Sequence, residues 1–305
     1  IAFITYAMQI LISFMMLSMI FVMIPRAQAS ADRINEVLEE TPDITDKEEP
    51  EEISLSKEKA TLAFDQVNFR YTDADSLALE DVNFKAKAGQ TVAIIGGTGS
   101  GKTTLANLLP RLHEVSSGTI RLNGHDIQNI RQHDLREIIG FVPQTAVLFR
   151  GTIRENMRYG NAKASEEQIW QALKTAQAQD FVAKMPDGLD SHVEQGGGNF
   201  SGGQRQRLAI ARALIKSADL YVFDDSFSAL DFKTDANLRQ ALQQEIQNAI
   251  KVIIAQRVST IMDADIILVL EAGKVVGKGT HKELLNNNKT YQEIAYSQLR
   301  EEDLK

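Results

Sequence analysis

The sequence predicts a mainly parallel α/β domain preceded by a membrane-spanning helix. Three observations predict this arrangement: an uncharged apolar run over Ile1–Pro25, short apolar runs alternating with helical patterns after residue 60, and a glycine-rich turn between a strand and a helix. Continuous apolar runs are typical of strands covered on both faces. They lie at 91–95, 220–223, 252–255 and 266–270. Helical patterns between them indicate a layered α/β fold.

The composition limits the classes of function. The chain has 305 residues, a formal charge of -8, 43% hydrophobic residues and no cysteine. That length allows one large domain or two modest ones. The acidic balance argues against a nucleic-acid partner, which would require a basic face. The lack of cysteine excludes disulfides, thiolate metal ligands and thiol nucleophiles. Because the first residue is Ile1, we expect a piece of a longer protein.

The first element is the apolar run Ile1–Pro25. A helix of roughly 20 apolar residues crosses the hydrocarbon core of a membrane. A buried core helix is usually shorter, and a coiled coil would carry charges. Residues 27–29 (Ala-Gln-Ala) resemble a signal-peptide cleavage site, but the run is too long and no basic region precedes it. We therefore predict a membrane span.

A helix continues beyond the span, and a polar, acidic stretch containing two prolines follows it. That composition indicates a solvated linker. From Ala60 the pattern alternates, and Val67, Phe69 and Tyr71 share one face, as in a half-buried antiparallel strand. The predicted divisions are a membrane segment 1–40, a linker 41–59 and a domain 60–305.

The apolar run Thr91–Ile95 leads into a P-loop pattern. Its residues are Gly96, Gly97, Thr98, Gly99, Ser100, Gly101, Lys102, Thr103 and Thr104. Glycines let backbone N–H groups turn inward around phosphates, and the start of the following helix adds a partial positive charge. We expect Lys102 to reach the β- and γ-phosphates and Thr103 to bind Mg²⁺. The alternative is a chance glycine-rich turn, which the matching strand and helix argue against.

The apolar run 220–223 ends in two adjacent carboxylates, Asp224 and Asp225. At this distance beyond a P-loop, Asp224 fits an acid that holds Mg²⁺ through water. The next residue often acts on water, and a glutamate would suit that task. Asp225 is one methylene shorter.

A second anion-binding pattern precedes a helical stretch. Its residues are Ser201, Gly202, Gly203 and Gln204. Ser201 and Gln204 form a capping box, and the glycines let a backbone approach an anion closely. Because the chain already has a phosphate cradle, a second one suggests the ATP of another subunit. An ordinary helix start is the alternative.

Together these motifs resemble the ATP-binding-cassette (ABC) family over essentially the whole chain. The resemblance implies an α/β P-loop NTPase domain with a RecA-like parallel sheet core, an antiparallel β subdomain and an α-helical subdomain, preceded by an all-α transmembrane segment. A helical stretch over 165–185, beginning with a capping box of Ser165 and Gln168, fits the helical subdomain. Residues 1–40 resemble the last transmembrane helix of an exporter half and its cytosolic extension.

The resemblance also implies roles for individual residues. Tyr71 would stack on adenine, and Gln144 in FVPQ would contact Mg²⁺ and sense the membrane domain. Ser201–Gln204 would be the signature motif that completes the partner's ATP site, and Asp231 in SALD would lie at the dimer contact. ATP and Mg²⁺ are the implied cofactors. The implied metal-binding residues are Thr103, Gln144 and Asp224.

Three residues depart from the family pattern. Asp225 replaces the usual catalytic glutamate, Gln256 replaces the switch histidine, and Gln195, beside Glu194, replaces a glutamate before the signature. Shortening a base moves its oxygen by about 1 Å, and such misplacement can cost roughly a hundredfold in rate. Gln256 can donate a hydrogen bond to a γ-phosphate but cannot carry positive charge. We therefore expect slow hydrolysis at this site, with Asp225, Gln256 and Gln144 as its catalytic residues.

Such unequal sites are similar to those of heterodimeric multidrug exporters of Gram-positive bacteria, of the LmrC and EfrA type. The expected protein is a multi-pass half-transporter of the cell membrane with its nucleotide-binding domain in the cytoplasm. Its expected partners are a second ABC half-transporter, the lipid bilayer and a hydrophobic small-molecule cargo, with no nucleic acid. The alternatives are a homodimeric transporter with two slow sites and a non-transporting ATP-binding module that regulates a membrane protein.

Overall fold

A computed structural model describes residues 1–53, 60–72 and 74–299 of the chain. It divides the chain into two compact units, the first over 1–45 and the second from residue 46 onward. Part of the predicted linker, 54–59, and the end of the predicted domain, 300–305, lie outside the described residues. The three divisions drawn from the sequence stay predictions.

The first unit consists mainly of one long helix, α1 (Ala2–Leu38). Its most apolar stretch has a mean hydropathy of 2.3, and the helix continues through Pro25. The hydroxyls of Thr5, Ser13 and Ser18 donate to the carbonyl oxygens four residues earlier. These bonds satisfy the hydroxyls without water, as an apolar surrounding requires. By length and composition, α1 is able to cross a membrane.

The second unit is built around a mixed β-sheet and a small separate two-stranded sheet. In chain order the strands are β1 (Thr61–Phe69), β2 (Leu79–Lys87), β3 (Thr91–Gly96), β4 (Ser117–Leu122), β5 (His125–Asp126), β6 (Ile139–Val142), β7 (Gly151–Thr152), β8 (His192–Val193), β9 (Leu220–Asp224), β10 (Ile250–Ile254), β11 (Ile266–Glu271) and β12 (Lys274–Gly279). The sheet order is β5-β4-β1-β2-β12-β11-β3-β10-β9-β6, and β7 pairs with β8.

Helices of the second unit cover the sheet and form a helical region before β9. They are α2 (Lys102–Leu108), α3 (Gln132–Glu137), α4 (Ile153–Arg158), α5 (Glu166–Thr175), α6 (Gln179–Ala183), α7 (Gly202–Ile215), α8 (Phe232–Glu245), α9 (Val258–Ile261), α10 (His281–Asn287) and α11 (Lys289–Gln298). The predicted stretch 165–185 is two helices, because Gln177 between them has a φ of 57°. The predicted capping box at Ser165 is confirmed.

The sheet has a parallel half and an antiparallel half. The neighbours β11, β3, β10, β9 and β6 pair in parallel, whereas β5, β4, β1 and β2 pair antiparallel. The predicted fold class, a P-loop α/β domain with an antiparallel part and an apolar helix before it, is confirmed. Since the four apolar runs all lie in the parallel half, their continuous hydrophobicity reflects burial on both faces.

Successive residues of the central strand enter two different hydrophobic cores. Ala93 and Ile95 contribute to a core shared with the helical region, whereas Val92 and Ile94 contribute to a core shared with α2 and the antiparallel strands. This alternation follows from the period of two along a strand. Because β3 is packed on both faces, the loop that follows it has a rigid base.

The alternation predicted from Val67 to Tyr71 holds only as far as Phe69. Val67 and Phe69 are buried, but β1 ends at Phe69, and the side chain of Tyr71 beyond it is 40% exposed. The ladder of β1 is irregular near Gln66, whose φ is 50°. Tyr71 is therefore available to a ligand and is not a core residue.

Part of the predicted linker is held by the second unit. The backbone N–H of Gln132, at the start of α3, donates to the carboxylate of Asp46 over 2.9 Å. The carboxylate of Glu51 contacts the His125 ring and accepts from Asn129, each over 2.8 Å. Carboxylates are stabilised by free N–H groups at a helix N-terminus. This part of the chain is therefore not a free tether.

Candidate nucleotide-binding site

The predicted site residues gather at one edge of the parallel sheet. The P-loop follows β3, Gln144 follows β6, Asp224 ends β9 and Gln256 follows β10. The carboxyl ends of parallel strands are where open α/β sheets bind their ligands. A cavity of about 820 Å³ lies there, lined by P-loop residues together with Tyr71, Gln144 and Gln256.

The P-loop backbone leaves room for an anion. Gly99 has a φ of 76°, in the left-handed region that favours glycine. A side chain added at Gly97 or Gly99 would meet no atom within 4 Å, so the loop faces open space at these positions. The opposite holds at Gly96, where an added Cβ would collide with the backbone of Leu270 on β11. The loop is thus fixed to the sheet at one end and open toward the cavity.

The Lys102 ammonium lies folded over the P-loop. Its Nζ donates to the carbonyl oxygens of Gly96 and Gly97 over 2.8 and 2.6 Å. Burial lowers the pKa of Lys102, and the carboxylates of Asp225 and Asp224 oppose that shift. A phosphate anion would satisfy the same ammonium with full charge, which suits the role predicted for Lys102.

Asp224 and Thr103 form the part of the site suited to a cation. The Thr103 hydroxyl donates to Asp224 Oδ1 over 3.4 Å. Asp224 is only 3% exposed. Burial and then the neighbouring Asp225 raise the pKa of Asp224, while the Thr103 hydroxyl opposes the rise. Oxygen ligands of this kind are those that Mg²⁺ prefers, and a divalent cation would relieve the cost of burying the carboxylate. The residues present therefore fit the metal.

Asp225 is held by two glutamines. Gln256 Nε2 donates to Asp225 Oδ2 over 2.9 Å, and Gln144 Nε2 makes a longer contact of 3.5 Å with the same oxygen. The φ of Asp225 is 44°, an uncommon conformation that aspartate tolerates better than most residues. Burial raises the pKa of Asp225, with Lys102 as the main opposing influence. The structure thus brings together the three residues predicted to be catalytic.

Tyr71 lines the cavity beside the end of the P-loop, and its neighbours fix its ring. Its hydroxyl shares a hydrogen bond of 2.9 Å with Thr104 Oγ1, at the end of the P-loop. The rings of Phe69 and His113 lie nearly perpendicular to the Tyr71 ring, at centroid distances of 4.8 and 5.4 Å. A ring held in this way offers a preorganised surface for stacking a base.

Several residues at the site are not predicted from the sequence, and His113 and Gly273 are two of them. His113 supports Tyr71 but carries no motif, and its place depends on the turn after α2. Gly273 lines the cavity with a φ of 81°, and an added Cβ would come within 2.7 Å of the Ala78 carbonyl oxygen. The only signal for Gly273 is a glycine between two apolar strands, which predicts a turn but not a pocket wall.

The second anion-binding pattern lies elsewhere on the domain. Ser201 caps α7 and forms with Gln204 the predicted capping box. An added Cβ at Gly203 would lie 3.2 Å from the Ala229 carbonyl oxygen, so the start of α7 packs closely on the SALD segment. Asp231 caps α8 by accepting from the Thr234 N–H over 3.0 Å. Among the described residues that line the cavity, none comes from Ser201–Gln204.

Comparison with known proteins agrees with this geometry. The profile of the ABC transporter family (ABC_tran) matches residues 79–228, which include the P-loop, Gln144, the signature pattern and Asp224. The chain carries an ABC transporter ATPase domain. ATP is therefore the ligand of this domain.

Relatives of the ABC domain extend over nearly the whole chain. An uncharacterised ABC transporter ATP-binding protein of Mycobacterium tuberculosis is 42% identical over 98% of this chain and 51% of its own length. A Bacillus subtilis relative of the same description is 43% identical over 98% and 51%. An ATP-dependent lipid A-core flippase of Alkalilimnicola ehrlichii is 40% identical over 88% and 45%. The chain thus spans about half the length of the curated relatives that it matches.

A solved structure resembles the chain closely. It is a bacterial Atm1-family ABC exporter with ATP bound, with a TM-score of 0.88 and 35% sequence identity, covering 94% of this chain and 50% of the exporter chain. The fold of this chain is therefore similar to that of about half of the exporter chain.

Proposed function

We propose that this chain is the C-terminal part of an ABC exporter half-transporter that binds MgATP at the P-loop and hydrolyses it slowly. Helix α1 would be one span of a multi-pass protein of the cell membrane, with the ATPase domain in the cytoplasm. The exporter likeness over both α1 and the domain supports this proposal. The sequence patterns at α1 and the P-loop support it independently.

In this proposal each end of the cavity takes one part of the nucleotide. Tyr71 stacks on adenine, the P-loop from Gly96 to Thr104 surrounds the phosphates, and Lys102 neutralises their charge. Thr103, Asp224 and the Gln144 carboxamide oxygen would hold Mg²⁺. Bound Mg²⁺ supplies charge neutralisation at the transferred phosphoryl group.

The surroundings of Asp225 are the main support for proposing slow hydrolysis at this site. Its carboxylate is shorter than a glutamate, and an uncharged donor, Gln256, is bonded to one of its oxygens at 2.9 Å. This hydrogen bond orients Asp225, but the shorter carboxylate stands farther from an attacking water than a glutamate would. Gln256 contributes no positive charge to the transition state of phosphoryl transfer. Both features reduce the rate at the same site.

A slow site is useful when it is paired with a faster one. We therefore infer a heterodimer in which Ser201–Gln204 and Asp231 of this chain complete the ATP site of a second half-transporter. Exposure of Ser201 and the open space around Gly202 are consistent with approach of another nucleotide. A hydrophobic small molecule, as in multidrug efflux, is the proposed cargo. The relatives that are named lipid A-core flippases support a cargo of this hydrophobic kind.

The test compares two substitutions in the complete transporter in lipid, with steady-state ATP turnover as the measurement. Ser201→Arg places bulk and charge in the partner's phosphate pocket, so we expect turnover to collapse. Asp225→Asn removes only a weak base, so we expect most turnover to remain. Ser165→Arg is the matched control, because Ser165 caps α5 with the same capping box but belongs to no nucleotide motif.

Equal loss of turnover with Asp225→Asn and Ser201→Arg would contradict the slow-site proposal and favour a homodimer. Full turnover with Ser201→Arg would contradict the role of the signature pattern. Wild-type protein without ATP turnover would contradict the transporter proposal as a whole.

A further inference from the structure

The last helix of the chain reaches the segment that carries Gln256. The Gln298 side chain, at the end of α11, makes two hydrogen bonds to the backbone there. Its Nε2 donates to the Gln256 carbonyl oxygen, and its Oε1 accepts from the Val258 N–H, each over 2.8 Å. A single carboxamide thus ties together the peptide groups on either side of Arg257.

The two hydrogen bonds satisfy backbone groups that border Arg257. Val258 is the first residue of α9, and the first N–H groups of a helix have no partner within the helix. The side chain of Arg257, which precedes it, makes no capping bond to α9. Gln298 therefore caps α9 from a distant part of the chain, while its donor group fixes the preceding carbonyl.

Gln298 is presented by a firmly anchored helix. Tyr291 and Ala295 on α11 are fully buried, and the Tyr291 hydroxyl shares a bond of 2.7 Å with the His281 ring. Gln298 lies three residues beyond Ala295 and seven beyond Tyr291, so all three stand on one face of the helix. Because the anchored face ends at Gln298, its carboxamide has a fixed base from which to hold residues 256–258.

The contact continues directly into the ATP site. The backbone of Gln256 is held at its carbonyl by Gln298, and its side chain donates to Asp225. We propose that Gln298 is a positioning residue for hydrolysis at this chain's own ATP site, acting through Gln256. This inference rests on the proposed function and adds the C-terminal helix to the elements that control the rate.

A role through Gln256 differs from simple anchoring of α11. Positioning affects the hydrolytic step but not ATP binding, since Gln298 does not line the cavity among the described residues. Displacement of a catalytic group by 1 Å can cost about a hundredfold, and partial loosening costs less, so we expect about a tenfold loss of hydrolysis for Gln298→Ala. Gln298 is exposed, so its truncation leaves the core intact.

The experiment uses the complete transporter in lipid with the photoreactive analogue 8-azido-ATP. Labelling on ice reports binding to this chain. Labelling after incubation with orthovanadate reports hydrolysis at the site of the labelled chain. We expect Gln298→Ala to keep the first signal and to lower the second. Gln292→Ala is the matched control. Gln292 also lies on α11, but it donates to the Leu285 carbonyl oxygen and not to residues 256–258.

A double substitution tests whether Gln298 acts through Gln256. If Gln298 acts through Gln256, then Gln298→Ala should have no further effect in a Gln256→Ala background, whereas independent effects would multiply. Unchanged trapping with Gln298→Ala, or a loss equal to that of Gln292→Ala, overturns the inference and leaves the proposed function standing. Wild-type protein that binds the analogue but traps none overturns the proposed hydrolysis, and the inference with it.

Discussion

At the scale of single residues, the site is decided by which polar groups face each other across the ends of the strands. The positions of Lys102 and Asp224 at this edge of the sheet follow from the sequence, because a P-loop and a strand-ending acid have a fixed local geometry. The bond from Gln256 to Asp225 does not, because it joins residues from two loops. The sequence can reveal that Gln256 and Asp225 are both unusual residues at their positions. Only the fold shows that the Gln256 side chain is hydrogen-bonded to the Asp225 carboxylate.

Tyr71 gives a prediction at this scale. Because stacking needs the aromatic face and not the hydroxyl, Tyr71→Phe should bind ATP nearly as well as wild type despite losing the Thr104 bond. Tyr71→Ala should weaken binding by about 1–3 kcal/mol, the usual value of a base–aromatic stack. Titration with a fluorescent ATP analogue measures both, with Tyr159→Ala as an exposed aromatic control outside the cavity. Unchanged affinity in Tyr71→Ala would remove Tyr71 from the site.

At the scale of elements, prediction from sequence succeeds where the signal is local. The capping boxes of α5 and α7 and the four buried strands follow from short patterns. The end of β1 at Phe69 and the helix break at Gln177 cannot be predicted from such patterns. The irregular ladder of β1 and the positive φ angle of Gln177 depend on neighbouring strands and helices. The contact of Asp46 with α3 also joins distant parts of the chain, and the acidic composition gives no hint of it.

Asp46 gives a prediction for α3. The backbone N–H of Gln132 is the main cause that lowers the pKa of Asp46 below its ordinary value of 3.8. A carboxyl group whose pKa is lower in the folded state stabilises the fold at pH values above its unfolded pKa. This stabilisation is lost as the pH falls through the folded pKa. Asp46→Ala should therefore lower the free energy of unfolding of the domain at pH 7, and with it the thermal midpoint. Because Asp46 is exposed, we expect a loss of about 0.5 kcal/mol, the low end of the range for a lost helix cap. The difference from wild type should shrink below about pH 4, where the unfolded carboxyl becomes protonated.

The control for this measurement is Asp43→Ala, which removes an exposed carboxylate in the first unit. Thermal unfolding followed by calorimetry at several pH values gives both comparisons. If Asp46→Ala and Asp43→Ala behave alike at pH 7, the contact with α3 does not stabilise the domain. If the Asp46→Ala difference persists unchanged at pH 3, its origin is not the ionised carboxylate.

At the scale of the whole molecule, the proposed function requires one chain to contain two incomplete halves of different ATP sites. The P-loop side holds the groups that surround a nucleotide, while Ser201–Gln204 lie outside that cavity. In that proposal the motifs of both halves are visible in the sequence, whereas the two halves combine only between two chains. The proposed asymmetry therefore depends on how residues at this chain's own P-loop compare with those of its partner.

The combined substitution Asp225→Glu with Gln256→His tests whether these two residues alone make the site slow. Glutamate extends the base by one methylene, and histidine can carry the positive charge that glutamine lacks. If the two departures cost roughly a hundredfold together, as misplaced catalytic groups do, we expect at least about tenfold more hydrolysis at this site, because the partner's signature residues also contribute. Vanadate trapping of 8-azido-ATP on this chain measures the gain, and Lys102→Ala, which removes the phosphate-binding ammonium, sets the background. A double variant that traps no more than wild type would place the cause of slow turnover outside Asp225 and Gln256.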